Sequence, residues 1–160
     1  MENRPHIFLD IDGVLATTAQ FYSKKRYEEW NCYRFDPKCV KIFNEIIEKT
    51  NPIIILSSDW KTQYKFETMN NIFDWNGING KISDYTPNLW GVEFFKVDDL
   101  EACRASEIQI HVNNNQIKKW VAIDDLNLSP YIGEKKFVHT PRVNEGIKQS
   151  GVKDKILKRL

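Results

Sequence analysis

The strongest constraint on this chain is the segment Asp10-Ile11-Asp12-Gly13-Val14, which directly follows the apolar run Ile7-Phe8-Leu9. A short run of large apolar residues that ends in acidic residues and glycine reads as a buried strand entering a tight turn. Side chains alternate along a strand, so Asp10 and Asp12 fall on one side and Ile11 on the other. Two carboxylates at the open end of a buried strand repel each other unless a proton or a cation lies between them. A hard cation with oxygen ligands is the natural neutraliser, and Mg2+ typically takes one or two carboxylates together with substrate phosphate. The plainer reading is a β-turn whose aspartates bond only to nearby backbone N–H groups.

Strand-like and helix-like patterns alternate along the rest of the chain. Residues 7–11 form the first expected strand. Asp36-Pro37 opens a helix with Asp36 as its N-cap and Val40, Ile42, Phe43, Ile46 and Ile47 as its apolar face, and Asn51-Pro52 closes it. Ile53-Ile54-Ile55-Leu56 is a second continuous apolar run, as expected of a strand covered on both faces. Residues 60–75 read as a helix, and Lys81-Ile82-Ser83 as a short third strand. An irregular stretch over 86–100 leads to a helix over 101–116 with Ala102, Ala105, Ile108 and Val112 inward. Trp120-Val121-Ala122-Ile123 is a fourth strand ending at Asp124-Asp125, Phe137-Val138-His139 a fifth, and residues 143–160 a closing helix interrupted at Gly151. This alternation predicts an α/β fold, a doubly wound parallel sheet with helices on both faces. With 160 residues and no repeat or linker, residues 1–160 are expected to form one domain.

Composition narrows the partners. The 23 basic and 22 acidic residues nearly cancel, so no global field attracts nucleic acid or a membrane surface, and any basic patch must be local. No apolar stretch approaches the length of a transmembrane helix, and residues 1–5 do not resemble a signal peptide, so no membrane association is expected. Cys32, Cys39 and Cys103 are odd in number and lack C-x-x-C spacing, which suits free thiols in a reducing, cytoplasmic setting.

Open parallel sheets bind ligands beyond the carboxyl ends of their strands. There the first strand presents Asp10 and Asp12, the second Ser57-Ser58-Asp59, and the fourth Asp124-Asp125, while Arg104 lies in the helix before the fourth strand. Carboxylates to hold a cation, a hydroxyl to bond phosphate oxygen and a fixed positive charge are the components of metal-assisted phosphoryl transfer. Each residue also has a bland alternative: Ser57 and Ser58 as turn residues, Arg104 as a solvated helix charge, Asp124-Asp125 as turn caps. Asp59 is read as the N-cap of the helix that starts at Trp60. His6, His111 and His139 have no spacing that suggests a metal trio.

The ordered set Asp-x-Asp-Gly-Val, Ile-Ile-Ile-Leu-Ser, Arg-x-x-Glu-Ile and Val-Ala-Ile-Asp-Asp resembles the four motifs of the haloacid dehalogenase-like (HAD) hydrolases across residues 6–125. Leu56-Ser57-Ser58-Asp59-Trp60 is similar to the phosphatase domains associated with RNA-repair proteins. The resemblance implies that Asp10 is a nucleophile forming an aspartyl-phosphate. A carboxylate is a weak nucleophile, so alignment and charge neutralisation must supply much of the acceleration. It implies further that Asp12 acts as general acid and then base, meeting the metal through its backbone carbonyl. Ser57 would bond a phosphoryl oxygen, and Arg104 would hold the phosphoryl group against Asp10. Many members carry lysine at that motif, and arginine is not a simple substitute; Lys96 competes for the role. Asp10, Asp12, Asp124 and Asp125 would form the Mg2+ site, one of the last pair coordinating and the other orienting a water or the basic group.

Little or no cap domain fits into the chain, since only about residues 16–36 remain as an insertion. The site is therefore expected to be open and suited to a large substrate. Phe21, Tyr22, Tyr27, Trp30, Tyr33 and Phe35 alternate there with Lys24, Lys25, Arg26 and Arg34. Such a mixture can stack bases and follow a phosphate backbone, or else the rings can anchor a small lid. The expected function is a Mg2+-dependent phosphatase of a nucleotide or nucleic-acid phosphate end. Alternatives are a phosphatase of another small phosphorylated metabolite and a non-catalytic phospho-acceptor or binding module on the same fold.

Overall fold

The computed structural model describes residues 3–23, 26–90 and 99–160. In chain order the elements begin with β1 (His6–Leu9), α1 (Thr18–Phe21), β2 (Arg26–Tyr27), β3 (Cys32–Tyr33) and α2 (Pro37–Thr50). They continue with β4 (Ile53–Leu56), α3 (Trp60–Gln63), α4 (Phe66–Trp75), β5 (Ile82–Tyr85) and α5 (Leu100–Asn114). The chain closes with β6 (Trp120–Asp124), α6 (Ser129–Ile132), β7 (Phe137–His139) and α7 (Val152–Arg159).

The continuous apolar runs become strands because both faces of the sheet are covered. Phe8 faces a core with Ile55, Ile108, Ala122 and Phe137, while Ile7 and Leu9 face another with Leu56, Val121, Ile123 and the α2 residues Phe43 and Ile46. The result is a five-stranded sheet in the order β5-β4-β1-β6-β7, with every pairing parallel. The doubly wound α/β fold is thus present. Among the described residues the insertion forms only α1 and the antiparallel β2–β3 pair, and no larger cap stands beside the sheet.

Helix α2 starts where its sequence says it should. The Asp36 carboxylate accepts from the backbone N–H groups of Lys38 (2.8 Å) and Cys39 (3.4 Å), and Pro37 occupies the first turn. A cap of this kind stabilises a helix by about 1 kcal/mol. Burial alone would raise the Asp36 carboxyl, but its bonds to Lys148 and to those backbone groups outweigh burial and hold it below its usual range.

The first strand runs His6–Leu9 rather than 7–11 and the helix expected over 101–116 runs Leu100–Asn114, and three further boundaries differ for a structural reason. The helix expected over 60–75 breaks at Tyr64, whose backbone is extended and whose hydroxyl donates to the Trp30 carbonyl at 3.0 Å. The third strand runs Ile82–Tyr85, beginning one residue later and ending two residues later than its sequence pattern, with a register shift between Ile54 and Ile55. The closing helix begins only at Val152, because the preceding chain packs behind the Asp10–Val14 turn. Gly146, at φ +58°, lies so close that a Cβ there would stand 2.4 Å from the Val14 carbonyl oxygen. No described helix is long and apolar enough to cross a membrane, and the three cysteines are free and buried.

Candidate active site

Sheet register brings the site together. Leu9 pairs with Leu56 on one side and with Ile123 on the other, so Asp10, Ser57 and Asp124 follow at one level. The ladder continues to that level: the Ser57 N–H donates to the Leu9 carbonyl (2.8 Å) and the Asp10 N–H to the Ile123 carbonyl (3.1 Å).

Asp10, Asp124 and Asp125 each offer an oxygen within 4.8 Å of the others. Asp10 is 5 % exposed and Asp124 1 %. Gly13 permits this crowding twice over. Its φ of +75° suits glycine, and a Cβ there would stand 2.6 Å from the Asp125 Cβ. Two residues beyond β6 brace the turn. The Thr140 hydroxyl donates to the Gly13 carbonyl (2.9 Å), and the His139 ring nitrogen Nε2 lies 2.8 Å from the Asp125 carbonyl.

Burial of so much negative charge is costly unless it is paired. Burial pushes the Asp10 carboxyl up to about 7, Arg104 opposing and Asp125 adding to the rise. Burial likewise raises Asp124 and Asp125. The donor set is carboxylate oxygen alone, without His or Cys, which fits a hard divalent cation.

Arg104 is buried rather than solvated, against the bland reading of a helix-surface charge. Its Nη1 donates to the Ser57 carbonyl (2.8 Å) and to Asp124 Oδ2 (2.9 Å), and stands 3.4 Å from Asp10 Oδ1. Burial disfavours its charge, but Asp124, Asp10 and Asp59 more than compensate and hold its pKa above the ordinary value. Asp59 requires a correction. Its side chain makes no cap bond to α3; Oδ1 instead accepts from Arg104 Nη2 at 3.0 Å. The competing Lys96 lies outside the described residues.

One turn along α5, Glu107 pairs with the buried Lys61 and accepts from the Leu89 N–H (2.9 Å). Lys61 also donates to the Thr86 hydroxyl at 3.0 Å, so α3, α5 and the end of β5 are tied together beside Arg104.

Ser57 and Asp12 complete the set. The Ser57 Oγ is buried and, among the described residues, has no hydrogen-bond partner, an exception that calls for a ligand or a role. The Asp12 side chain is not in the metal-competent group; it turns away toward Tyr33, whose hydroxyl donates to Oδ1, and Trp60, whose Nε1 donates to Oδ2 at 3.1 Å. The Asp12 side chain thus does not join the carboxylates that could hold a metal. Burial raises the Asp12 carboxyl, and the two donors pull it back.

Sequence reasoning does not connect Tyr33, Trp60, Thr140 or His139 with the carboxylates: it reads Tyr33 only as one of the insertion's stacking or lid-anchoring rings, and Trp60 as the end of Leu56-Ser57-Ser58-Asp59-Trp60. The insertion's other aromatics pack on one another and on α3 and α4: Tyr27 sits 4.5 Å from both Trp30 and Trp75 between ring centroids, and Phe35 contacts Trp60 at 5.6 Å. Tyr22, 83 % exposed, does not join them. Lys24 and Lys25 lie outside the described residues.

Over residues 6–152 the sequence matches the family described as HAD domain in Swiss Army Knife RNA repair proteins. No curated protein and no solved structure matches the chain. A HAD domain points to hydrolase chemistry of the phosphatase kind. The match runs from the first residue of β1 to the first residue of α7 and so takes in every element that reaches the site; the chain belongs to this family of HAD domains.

Proposed function

We propose that this chain is a Mg2+-dependent phosphomonoesterase that works through an aspartyl-phosphate on Asp10, with nucleotides or nucleic-acid phosphate ends as substrates. The observation that carries the reading is the buried Ser57 hydroxyl, without a hydrogen-bond partner among the described residues, beside Asp10, whose carboxylate stands 3.4 Å from Arg104. A donor, a fixed cation and a nucleophile thus bound one space, which suits the oxygens and phosphorus of a phosphoryl group.

In the first step an Asp10 oxygen bonds to phosphorus as the bond to the leaving oxygen breaks, and protonated Asp12 gives its proton to that oxygen. In the second, water bonds to phosphorus and passes a proton to Asp12 while the bond to Asp10 breaks, releasing inorganic phosphate. Ser57 and Arg104 bond the phosphoryl oxygens as charge develops. Tyr33 and Trp60 hold Asp12 in one orientation, as general acid–base catalysis requires. Asp10, Asp124, Asp125 and the Asp12 carbonyl would hold Mg2+, which when bound supplies neutralising charge to the phosphoryl oxygens.

The nucleic-acid part of the proposal draws on the family's description, on the small insertion and on the hairpin cations Arg26 and Arg34. A second reading, a phosphatase of a small phosphorylated metabolite, draws on the inward packing of Tyr27 and Trp30, which suits a lid better than a stacking platform. Phosphate release from a generic aryl phosphate, followed by a panel of nucleotides, phosphorylated oligonucleotides and sugar phosphates, tests both. Release that requires Mg2+ and favours nucleotides or oligonucleotides is expected. Full release in chelator would refute the metal-assisted mechanism, and a preference for sugar phosphates would favour the second reading.

A further inference from the structure

We infer that the cavity beside Asp12 receives the leaving group, and that Arg26 there binds a second phosphate carried by the leaving portion of the substrate. The inference rests on the phosphomonoesterase reading and names what that site selects.

A cavity of about 310 Å3 has Asp12, Arg26, Asn31, Tyr33, Trp60 and Gln63 on its walls, whereas Asp10, Asp124 and Asp125 do not line it. Asp12 is the group that must lie within hydrogen-bond reach of the leaving oxygen. Of the reacting groups the cavity thus meets Asp12, on the leaving-group side, and not the carboxylates Asp10, Asp124 and Asp125.

Its walls specify what fits. Tyr33 and Trp60 already donate to the two Asp12 oxygens. The carboxamides of Asn31 and Gln63 and the guanidinium of Arg26 remain to meet a ligand. Arg26 is exposed, and its guanidinium lies over the Tyr33 ring at 4.6 Å from the centroid. Among the described residues no carboxylate pairs with it, and its bond to the Phe21 carbonyl is long, at 3.5 Å. A guanidinium stacked on a ring keeps its in-plane donors for a bidentate oxyanion, and phosphate matches that fork. A polar cavity whose one guanidinium makes no ion pair among the described residues selects an anionic leaving group over an apolar one.

That second phosphate has two sources: a small bisphosphate, or the next phosphodiester of a strand whose end is being hydrolysed. The test uses the full chain with Mg2+ and compares kcat/KM for adenosine 3′,5′-bisphosphate, the two adenosine monophosphates, and a dinucleotide bearing one terminal phosphate. The wild-type protein should prefer the bisphosphate, the dinucleotide or both over the monophosphates by about tenfold to a hundredfold, the range of one charge-assisted contact. Whichever substrate leads identifies the source. Arg26→Ala should bring that ratio close to one, and Arg26→Lys should restore part of it.

The ratio matters because Arg26 also packs on Tyr33, so loosening Asp12 would slow all substrates alike and cancel. Arg142→Ala removes an exposed cation paired with Glu145, outside the cavity, and should leave the ratio unchanged. No preference in the wild type, or a preference that survives Arg26→Ala, would overturn the inference. Phosphate release from none of the substrates is a different failure, that of the phosphomonoesterase reading itself.

Discussion

The strand ends and the β2–β3 hairpin serve one site by different means. At the ends of β1, β4 and β6, backbone register sets the positions: once Leu9 pairs with Leu56 and Ile123, the places of Asp10, Ser57 and Asp124 follow. The hairpin strands are two residues each, and side chains hold them, with Tyr33 against Phe21 and Trp60, and Tyr27 against Trp30 and Trp75. A ladder of backbone bonds between buried strands fixes atoms more firmly than the edges of a few rings. On the proposed reading, the strand ends carry the chemistry, and the hairpin orients and selects.

The largest effects should therefore come from the strand ends. Asp10→Asn removes the nucleophile and should cut aryl phosphate turnover by about 10^4-fold or more. Asp12→Asn removes proton transfer and should cost about 10^2- to 10^4-fold. Steady-state release of phosphate checks both, and near-wild-type activity of either would break the division of labour.

Tyr33→Phe removes one donor from Asp12 while leaving the ring in place. Its kcat should fall by about tenfold, the scale of one hydrogen bond to a charged group, and more for an alkyl than for a nitrophenyl phosphate. An equal loss on both leaving groups would make Tyr33 a packing residue and no more.

Trp30→Ala sharpens the comparison from the packing side. Losing its contacts with Tyr27 and Trp75 should destabilise the fold by about 1–3 kcal/mol, read as a lower Tm, and should harm aryl phosphate and oligonucleotide turnover alike. A raised KM for the oligonucleotide alone, at unchanged Tm, would instead make Trp30 a base-stacking surface.

The smallest effect concerns charge at the strand ends. Burial raises the Asp10 pKa from 3.8 to about 7, so without metal the folded state binds more protons than the unfolded chain between those values. This contribution to stability is complete below 3.8 and is lost as pH rises through about 7. Mg2+ should consequently raise Tm more at pH 8 than at pH 5, which thermal melts in Mg2+ and in chelator will read. An equal rise at both pH values would mean that the carboxylates are not what the cation neutralises.

The same contrast explains what was legible in the sequence. Ile7-Phe8-Leu9 and Ile53–Leu56 announce buried strands through local pattern, and the acids that follow announce the site because they have no reason to crowd there otherwise. Arg104 was harder to place because α5 also buries Glu107 and His111, so no clean polar face separates functional from solvated charge. Tyr33 and Trp60 bond Asp12 from 21 and 48 residues away, separations that no local spacing encodes. The late start of α7 has a similar origin, in the contact between Gly146 and the Val14 carbonyl.

The covalent role of Asp10 can be read directly on Asp12→Asn protein supplied with a nitrophenyl phosphate. That leaving group departs with little help from an acid, whereas hydrolysis of the intermediate still needs the missing base, so the phosphorylated enzyme should accumulate. After acid quench in the presence of Mg2+, mass spectrometry should find the peptide containing Asp10 heavier by one phosphoryl group, and unmodified when chelator replaces Mg2+. Release of nitrophenol at the same rate with no phosphoryl group on Asp10 would contradict the covalent mechanism.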